Sequence, residues 1–325
     1  MALRGYGCER LIMVIAVLLL SASAAAQSYP TNLIRIVVPF PAGGGIDSVT
    51  RILSPKLNER FGQPIVIDNR TGAGGDIGTE MVAKAAPNGY TLLATFSSLA
   101  TNAALYTRQG FDTVRDLAPV TLIATVPNVI VVNPTLPVKT VKDLIQLAKK
   151  RPGEILYASI GPGTPAHLSA ELFDTMAGIK MTHVAYKGGP QSLIALISGE
   201  SHLTFTTAVI TLPHIKTGKL RVIAVTSLKR FSLMPEVPTV DESGLPGYES
   251  TAWYALLAPA KTPQPIIDEL QREVAKALRL NDVKESLLQQ GAEPVGSSPE
   301  QLAALIKNDI AKWSKVVKAT GAKVE

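Results

Sequence analysis

Four glycine-rich segments are the part of this sequence best suited to binding chemistry. Glycine lets a backbone N–H group approach a ligand closely, and a helix that begins after such a loop carries partial positive charge at its first turn. Taken singly, each segment could equally be a tight turn after a strand. Because four of them recur, we expect them to hold an anion, largely through main-chain donors. The segments are 39–45 (PFPAGGG), 69–78 (NRTGAGGDIG), 158–168 (ASIGPGTPAHL) and 186–191 (YKGGPQ).

The glycines do not form a nucleotide-binding motif, and the sequence lacks the common catalytic motifs. The run from Gly72 places Ile77 where G-x-G-x-x-G requires glycine, and no G-x-x-x-x-G-K-[ST] occurs. Neither G-x-S-x-G nor H-E-x-x-H is present. We therefore predict no cofactor, no metal and no catalytic residue. The four histidines lack metal-ligand spacing; they are His167, His183, His202 and His214.

Three ionisable residues keep a catalytic alternative open. Asp47 and Asp76 follow glycines at the start of helical patterns, and His167 comes shortly after the glycines of 158–168. At a helix start, a carboxylate most simply accepts hydrogen bonds from free N–H groups, although it could also serve as a general base. An exported hydrolase or isomerase that uses Asp47 or His167 is therefore the less favoured reading beside a binding protein.

The segments that position these loops alternate between strands and helices. The strand candidates are short, apolar and rich in Val and Ile, as expected of parallel strands covered on both faces, so the pattern predicts an α/β fold with open, mostly parallel sheets flanked by helices. The last 60 residues are helical without intervening strands. Strands are predicted at 34–39, 65–68, 91–95, 129–133, 155–159, 182–185, 203–206 and 222–226, and helices at 46–61, 77–86, 141–150, 165–176 and 191–198.

The N-terminal segment 1–26 has the features of a secretory signal peptide. Two arginines precede an apolar run of ten residues, and three alanines then provide a cleavage site near Ala26-Gln27. The single cysteine, Cys8, lies in this segment, so the exported chain would have none. A net charge of +6 without a basic, aromatic-rich run argues against nucleic acid binding. We expect a periplasmic monomer.

The length of 325 residues suggests two domains. Proline-rich stretches at 125–134 and 244–259 mark two places where the chain could pass between them. Two passages make the first domain discontinuous. The expected division is 27–127 plus 249–325 for lobe 1 and 128–248 for lobe 2.

Several of these motifs together resemble the Bug (TctC-like) extracytoplasmic receptors of tripartite tricarboxylate transporters. The resemblance rests on IRIVVPFPAGGGIDSVTRIL, GQPIVIDNRTGAGGDIGTEMVAKAAPNGYTLL, YASIGPGTPAHLSAELF, VAYKGGPQSLIALISGE and LPHIKTGKLRVIAVTS, in order over most of the chain. It implies a two-lobed Venus flytrap of the type II periplasmic-binding-protein class. Such a receptor captures a small carboxylate between its lobes and delivers it to membrane permease subunits. A periplasmic sensor feeding a signalling kinase would have the same site and is the other alternative.

The resemblance also implies which residues contact the ligand. Where related receptors often have acidic residues, this chain has His202 and Thr206, which leads us to expect a ligand other than an amino acid. The implied contacts are Phe40, Ala42, Gly43, Gly44, Thr95 and Ser97 from lobe 1, and Ser159, Gly163, Thr164, Lys187 and Thr206 from lobe 2.

Overall fold

The computed structural model describes residues 29–106, 109–159, 161, 164–186 and 189–320. The predicted signal segment 1–26 lies outside this part of the chain. All eight predicted strands and all five predicted helices are present, and their ends differ from prediction by at most three residues.

Eleven strands are found in the described residues, three more than the sequence predicts. They are β1 Ile34–Val38, β2 Ile65–Asn69, β3 Thr91–Phe96, β4 Leu117–Val126, β5 Asn128–Val132, β6 Leu156–Ser159, β7 Thr182–Ala185, β8 Leu203–Thr207, β9 Arg221–Val225, β10 Ala252–Pro259 and β11 Glu293–Pro294.

Ten α-helices connect or cover these strands in the described residues. A short 3-10 turn, Ala73–Gly75, precedes the second of them. The helices are α1 Gly45–Phe61, α2 Asp76–Ala83, α3 Ser98–Leu105, α4 Val141–Lys150, α5 Pro165–Ala177, α6 Gly189–Ser198, α7 Ala208–Lys216, α8 Gln264–Leu278, α9 Asn281–Gln289 and α10 Pro299–Thr320.

The strands form two separate sheets, which gives an α/β fold with two lobes. The first sheet has the order β11-β4-β10-β3-β1-β2, and the second has the order β7-β6-β8-β5-β9. Strand β1 is parallel to β2 and β3, and β6 is parallel to β7 and β8. Strand β10 is antiparallel to β3 and β4, and β5 is antiparallel to β8 and β9.

Both sheets are therefore mixed, and the prediction of mostly parallel sheets is wrong. The reason is that apolar runs report burial on both faces rather than strand direction. The antiparallel strand β5 is buried along its whole length, as a parallel strand would be. Strands β4 and β10 contain prolines and were missed for that reason.

The chain passes between the sheets at β4–β5 and again between β9 and β10. Thr226 ties the two passages together: its N–H donates to the Asn128 carbonyl (2.9 Å), and its carbonyl accepts from the Ser250 N–H (3.0 Å). The Asn128 N–H in turn donates to the Thr226 hydroxyl (3.1 Å). These bonds hold the two connections side by side, at the strand ends where the chain passes from one sheet to the other.

Helix α10 packs mainly on α3 and on strand β4 of the first lobe, and it also contacts α5 of the second lobe. Leu302, Ile306 and Trp313 of α10 share a buried cluster with Leu168 of α5. Trp253 of β10 donates its indole N–H to Asp309 (2.6 Å), which fixes α10 against the sheet. The C-terminal helices thus pack back onto the first lobe, and one of them reaches the second. No helix among the described residues is long and apolar enough to cross a membrane.

Candidate functional site

A cavity of about 210 Å³ opens at one edge of the second sheet. Strands β6 and β8 end there, β5 begins there, and helices α5, α6 and α7 have their first turns there. Three of the predicted contact residues, Ser159, Thr164 and Thr206, line it together. The remaining lining residues are Asn128, Pro165, Ala166, Gly189, Ser192, Leu193, Thr204, Phe205, Thr207 and Ile210.

The electrostatics of this cavity favour an anion although no described residue of its lining carries a charge. The first N–H groups of a helix have no partner within the helix and carry partial positive charge, and three helices begin here. Hydroxyl groups of Ser159, Ser192 and Thr206 add neutral donors. The arrangement can bind a carboxylate by neutral hydrogen bonds and helix termini, without an ion pair from these residues.

Thr164 occupies the position before α5, but its side chain makes no capping hydrogen bond. Its backbone is extended, and Pro165 follows at the first helical position. The hydroxyl instead donates to the Gly161 carbonyl (2.7 Å) within the preceding loop. Consequently the Thr164 side chain does not occupy the first-turn N–H groups of α5. Pro165, which has no N–H, and Ala166 line the cavity at this helix start.

Ser159, at the end of β6, is almost completely buried and is the most constrained of the lining hydroxyls. Its oxygen accepts the Gly161 N–H (3.0 Å) and lies 2.5 Å from the Nε2 of His183 on the adjacent strand β7. The Ser159 hydroxyl in turn donates to the Gly161 carbonyl (3.1 Å).

His183 belongs to a cluster of rings beneath the cavity. Its imidazole stacks on Tyr157 (centroids 5.0 Å apart) and lies 4.4 Å from the ring of His167. Tyr157 donates its hydroxyl to Glu171 (2.6 Å), and the His167 Nε2 lies 3.7 Å from the same carboxylate. Burial lowers the pKa of His183 to about 4, with a further lowering from His167, and burial also lowers the pKa of His167. His183 is therefore neutral at pH 7.

The candidate residues of the first lobe do not line this cavity. Phe40 packs its ring on Phe96 (centroids 4.3 Å apart), and Ala42 and Gly43 are exposed in the loop before α1. The Gly43 N–H donates to Asp47 (2.8 Å), and the Gly44 N–H donates to the Pro41 carbonyl (3.2 Å).

Two further first-lobe candidates lie at the end of β3. Thr95 is buried opposite Ala255 of β10, and the Ser97 N–H donates to the Trp253 carbonyl (3.0 Å). Two candidates of the second lobe, Gly163 and Lys187, lie outside the described residues.

Asp47 has the structural role that its position at a helix start favours. Besides the Gly43 N–H, its carboxylate accepts from Arg51 (2.8 Å) and Asn69 (3.0 Å). Burial opposes ionisation, but these three hydrogen bonds lower the pKa of Asp47. The carboxylate is thus fully engaged in holding the loop before α1.

Asp76 lies in the first turn of α2, where its carboxylate bonds side chains outside that helix. Its carboxylate accepts from the side-chain amides of Asn102 and Gln109, each at 2.9 Å. Within the part of the chain that the structure describes, no group of three His, Cys, Asp or Glu residues is placed to hold a metal.

Several lining residues were missed by sequence reasoning. Asn128, Ser192 and Thr204 are buried polar residues that reach the cavity from β5, α6 and β8. Asn128 could have been noticed because it follows Pro127 at the expected passage between lobes. Ser192 and Thr204 have no local signal, since hydroxyl residues are common in helices and strands.

The comparisons with known proteins agree on one family. The family model described as a tripartite tricarboxylate transporter family receptor matches residues 49–322. Protein BugT of Bordetella pertussis is 38% identical over 322 residues, which cover 97% of this chain and 99% of BugT.

Two similar solved structures contain carboxylates. R. palustris Rpa4515 with adipate is 39% identical, with a TM-score of 0.77 over 91% of this chain and 100% of that one. MatC from Rhodopseudomonas palustris, with bound malate, is 31% identical, with a TM-score of 0.72 over 89% of this chain and 100% of that one.

Proposed function

Because this chain belongs to the tripartite tricarboxylate transporter receptor family, we propose that it captures a small carboxylate between two lobes and delivers it to the membrane subunits of such a transporter. Export of the protein to the periplasm, with removal of residues 1–26, is part of this proposal. The observation that carries it is the cavity where three helix N-termini and several hydroxyl groups converge on a space without a charged lining residue among those described.

The ligand class that fits best is a small di- or tricarboxylate. Adipate and malate in the two similar structures support this choice. The lining also has an apolar part, formed by Leu193, Phe205 and Ile210, which suits the carbon chain between acidic groups. The absence of a lining carboxylate among the described residues removes a partner for an ammonium group, which disfavours an amino acid.

We propose that the remaining contacts come from the first lobe as it closes over the cavity. The lobes divide at 127/128 and 248/249, and the contacts are those implied by the resemblance, from Phe40, Ala42, Gly43, Gly44, Thr95 and Ser97. In the second lobe, Gly163 and Lys187 complete the set. A ligand that touches both lobes stabilises the closed state because only that state makes all the contacts.

Hydrogen bonds alone give such a site enough binding free energy to hold the ligand, without covalent chemistry. A hydrogen bond to a charged group contributes about 1.5–3 kcal/mol. Four to six of them therefore support micromolar binding, which requires about 8 kcal/mol.

Calorimetric titration of the exported form with mono-, di- and tricarboxylates tests this function. Micromolar binding of at least one di- or tricarboxylate is expected, and Thr206→Val should weaken it because the lining hydroxyl is lost at similar volume. Val222→Thr, on β9 away from the cavity, serves as the control variant. If no carboxylate of the panel binds, the proposal fails. Capture of a histidine kinase instead of permease subunits would favour the sensor alternative.

A further inference from the structure

Ser159, which lines the cavity, makes a short contact with His183, which does not. This contact adds His183 to the residues of the site. The two belong to adjacent parallel strands, so the sheet itself fixes their separation. The Oγ–Nε2 distance of 2.5 Å makes this one of the closest polar contacts at the site.

A serine hydroxyl has one proton and two acceptor lone pairs. One lone pair of Ser159 accepts the Gly161 N–H. If the Nε2 of His183 carries a proton, it donates to the second lone pair, and the hydroxyl donates either to the Gly161 carbonyl, at 3.1 Å, or to a ligand in the cavity. If the Nε2 carries no proton, the hydroxyl donates to the imidazole and has no proton to offer the cavity.

We propose that His183 is a positioning residue that lets the Ser159 hydroxyl donate to the ligand but not accept from it, by donating its own Nε2–H to the Ser159 oxygen. This inference rests on the proposed function, since a carboxylate accepts hydrogen bonds but cannot donate them when ionised. With both lone pairs filled, Ser159 cannot accept from an ammonium or from an amide N–H. A bound carboxylate, being charged, is a stronger acceptor for the hydroxyl proton than the Gly161 carbonyl.

The surroundings of His183 favour a neutral imidazole, and the hydrogen bond from the Ser159 hydroxyl to the Gly161 carbonyl leaves the Nε2–H of His183 as the donor in the short contact. Tyr157 and His167 pack against its ring, and Glu171 is the nearby carboxylate. Burial in this cluster lowers the pKa of His183 to about 4, so the group acts at pH 7 through a single N–H and not through a full charge. The position of that proton then decides which ligand group Ser159 can face.

The first test needs no ligand. Long-range nitrogen–proton NMR spectra of protein labelled with nitrogen-15 histidine distinguish the two neutral tautomers, and His183→Phe identifies the signals of His183. We expect the Nε2–H tautomer at pH 7, with and without adipate. The Nδ1–H tautomer would overturn the proposal even if carboxylate binding itself is established.

The second test measures discrimination between adipate and its diamide. Ser159→Ala should weaken adipate binding about 10- to 100-fold. His183→Phe keeps the ring packing on Tyr157 but removes the donor, and the preference for adipate over the diamide should fall at least about fivefold. His183→Gln, which can again donate an N–H, should recover most of that preference.

A double-mutant cycle separates positioning from general support of the fold. In the Ser159→Ala background, His183→Phe should have little further effect on adipate affinity, because the hydroxyl it positions is gone. An equal loss in both backgrounds would overturn the proposal, as would a folded His183→Gln that discriminates no better than His183→Phe. If wild-type protein binds no carboxylate, the proposed function fails, and the tautomer measurement still decides the role of His183.

Discussion

Asp174 is a buried carboxyl group on α5 that only partly satisfies its hydrogen-bonding capacity. Its Oδ2 accepts the Met181 N–H (2.6 Å), while Oδ1 has no partner among the described residues. Burial, which outweighs the Met181 hydrogen bond, raises the pKa of Asp174 to about 7. The folded state thus binds a proton that the unfolded chain releases near pH 4.

This shift predicts a loss of stability as the pH rises. Because the folded-state pKa exceeds the unfolded one, the stabilising contribution is complete below about pH 4 and is lost as the pH passes through 7. Asp174→Asn keeps an acceptor for Met181 and removes the ionisation. Urea unfolding should show the variant gaining at least about 1 kcal/mol on wild type between pH 5 and pH 8.

The matched control for Asp174→Asn is Asp268→Asn on the exposed face of α8. This change should leave the difference in unfolding free energy between pH 5 and pH 8 as it is in wild type. Equal pH dependence of wild type and Asp174→Asn would show that Asp174 is ionised in the folded protein at both pH values.

The sequence predicts some residues of the site and misses others, for reasons that differ from residue to residue. Ser159 and Thr164 could be chosen because their glycine-rich loop has the pattern of a known family. Ser192 and Thr204 could not, because their role depends on which strand and helix ends meet. Thr164 stands at the start of α5, but its hydroxyl bonds the Gly161 carbonyl instead of capping the helix. A local sequence pattern identifies the loop. It does not show which hydrogen-bond acceptor a side chain in that loop will reach in the folded protein.

Helix α5 connects the cavity to the body of the molecule. Its first turn lines the cavity, and its Leu168 is fully buried in the cluster shared with Leu302 and Trp313 of α10. A change in that cluster should therefore reach the site through the helix. Leu144 of α4 is equally buried but lies in a different cluster, in the core of the second lobe.

Leu168→Ala should reduce the free energy of unfolding by about 2–5 kcal/mol, the usual cost of a cavity in a core. It should also weaken carboxylate binding, because α5 loses the contact that fixes its first turn. Leu144→Ala should cost similar stability without the loss of affinity. Equal affinities of the two variants in calorimetry would show that the packing of α5 on α10 does not influence the site.

Element boundaries follow from the sequence better than strand directions do. The strands from β5 to β9 were all anticipated, and α4 begins at its predicted residue with a capping box of Thr140 and Asp143. The antiparallel direction of β5 was not anticipated, because the same apolar residues bury a strand in either direction. The direction of a strand is set by the connections to the strands before and after it. In this protein the decisive connections are the two passages of the chain between the sheets.

The lobes also touch beside the β4–β5 passage, where Glu293 pairs with Thr125 near the end of β4. Gly291, after α9, lies against Val209 of α7: a Cβ added there would sit 2.3 Å from a Val209 methyl group. The Ser232 N–H donates to Glu293 (2.9 Å) nearby. Gly291 has a φ of +70°, so any other residue there is strained as well as crowded.

Gly291→Ala should push the lobes apart. We expect a larger radius of gyration in X-ray scattering without ligand, and weaker carboxylate binding because closure becomes more costly. Gly62→Ala is the matched control, because Gly62 has a similar φ of +62° at the end of α1 with no atom within 4 Å of the added Cβ. It should reduce stability without changing either quantity, and identical scattering of the two variants would contradict the closure model.

The central position of β10 has a consequence for how the protein is made. This strand lies between β3 and β4, but the ribosome reaches it only after the whole of the second sheet has been translated. In a nascent chain shorter than about two hundred and sixty residues, β3 and β4 therefore have no β10 to pair with. These pairings between residues distant in sequence can form only after β10 has been synthesised. Half of the molecule should stay open to chaperones until synthesis is nearly complete.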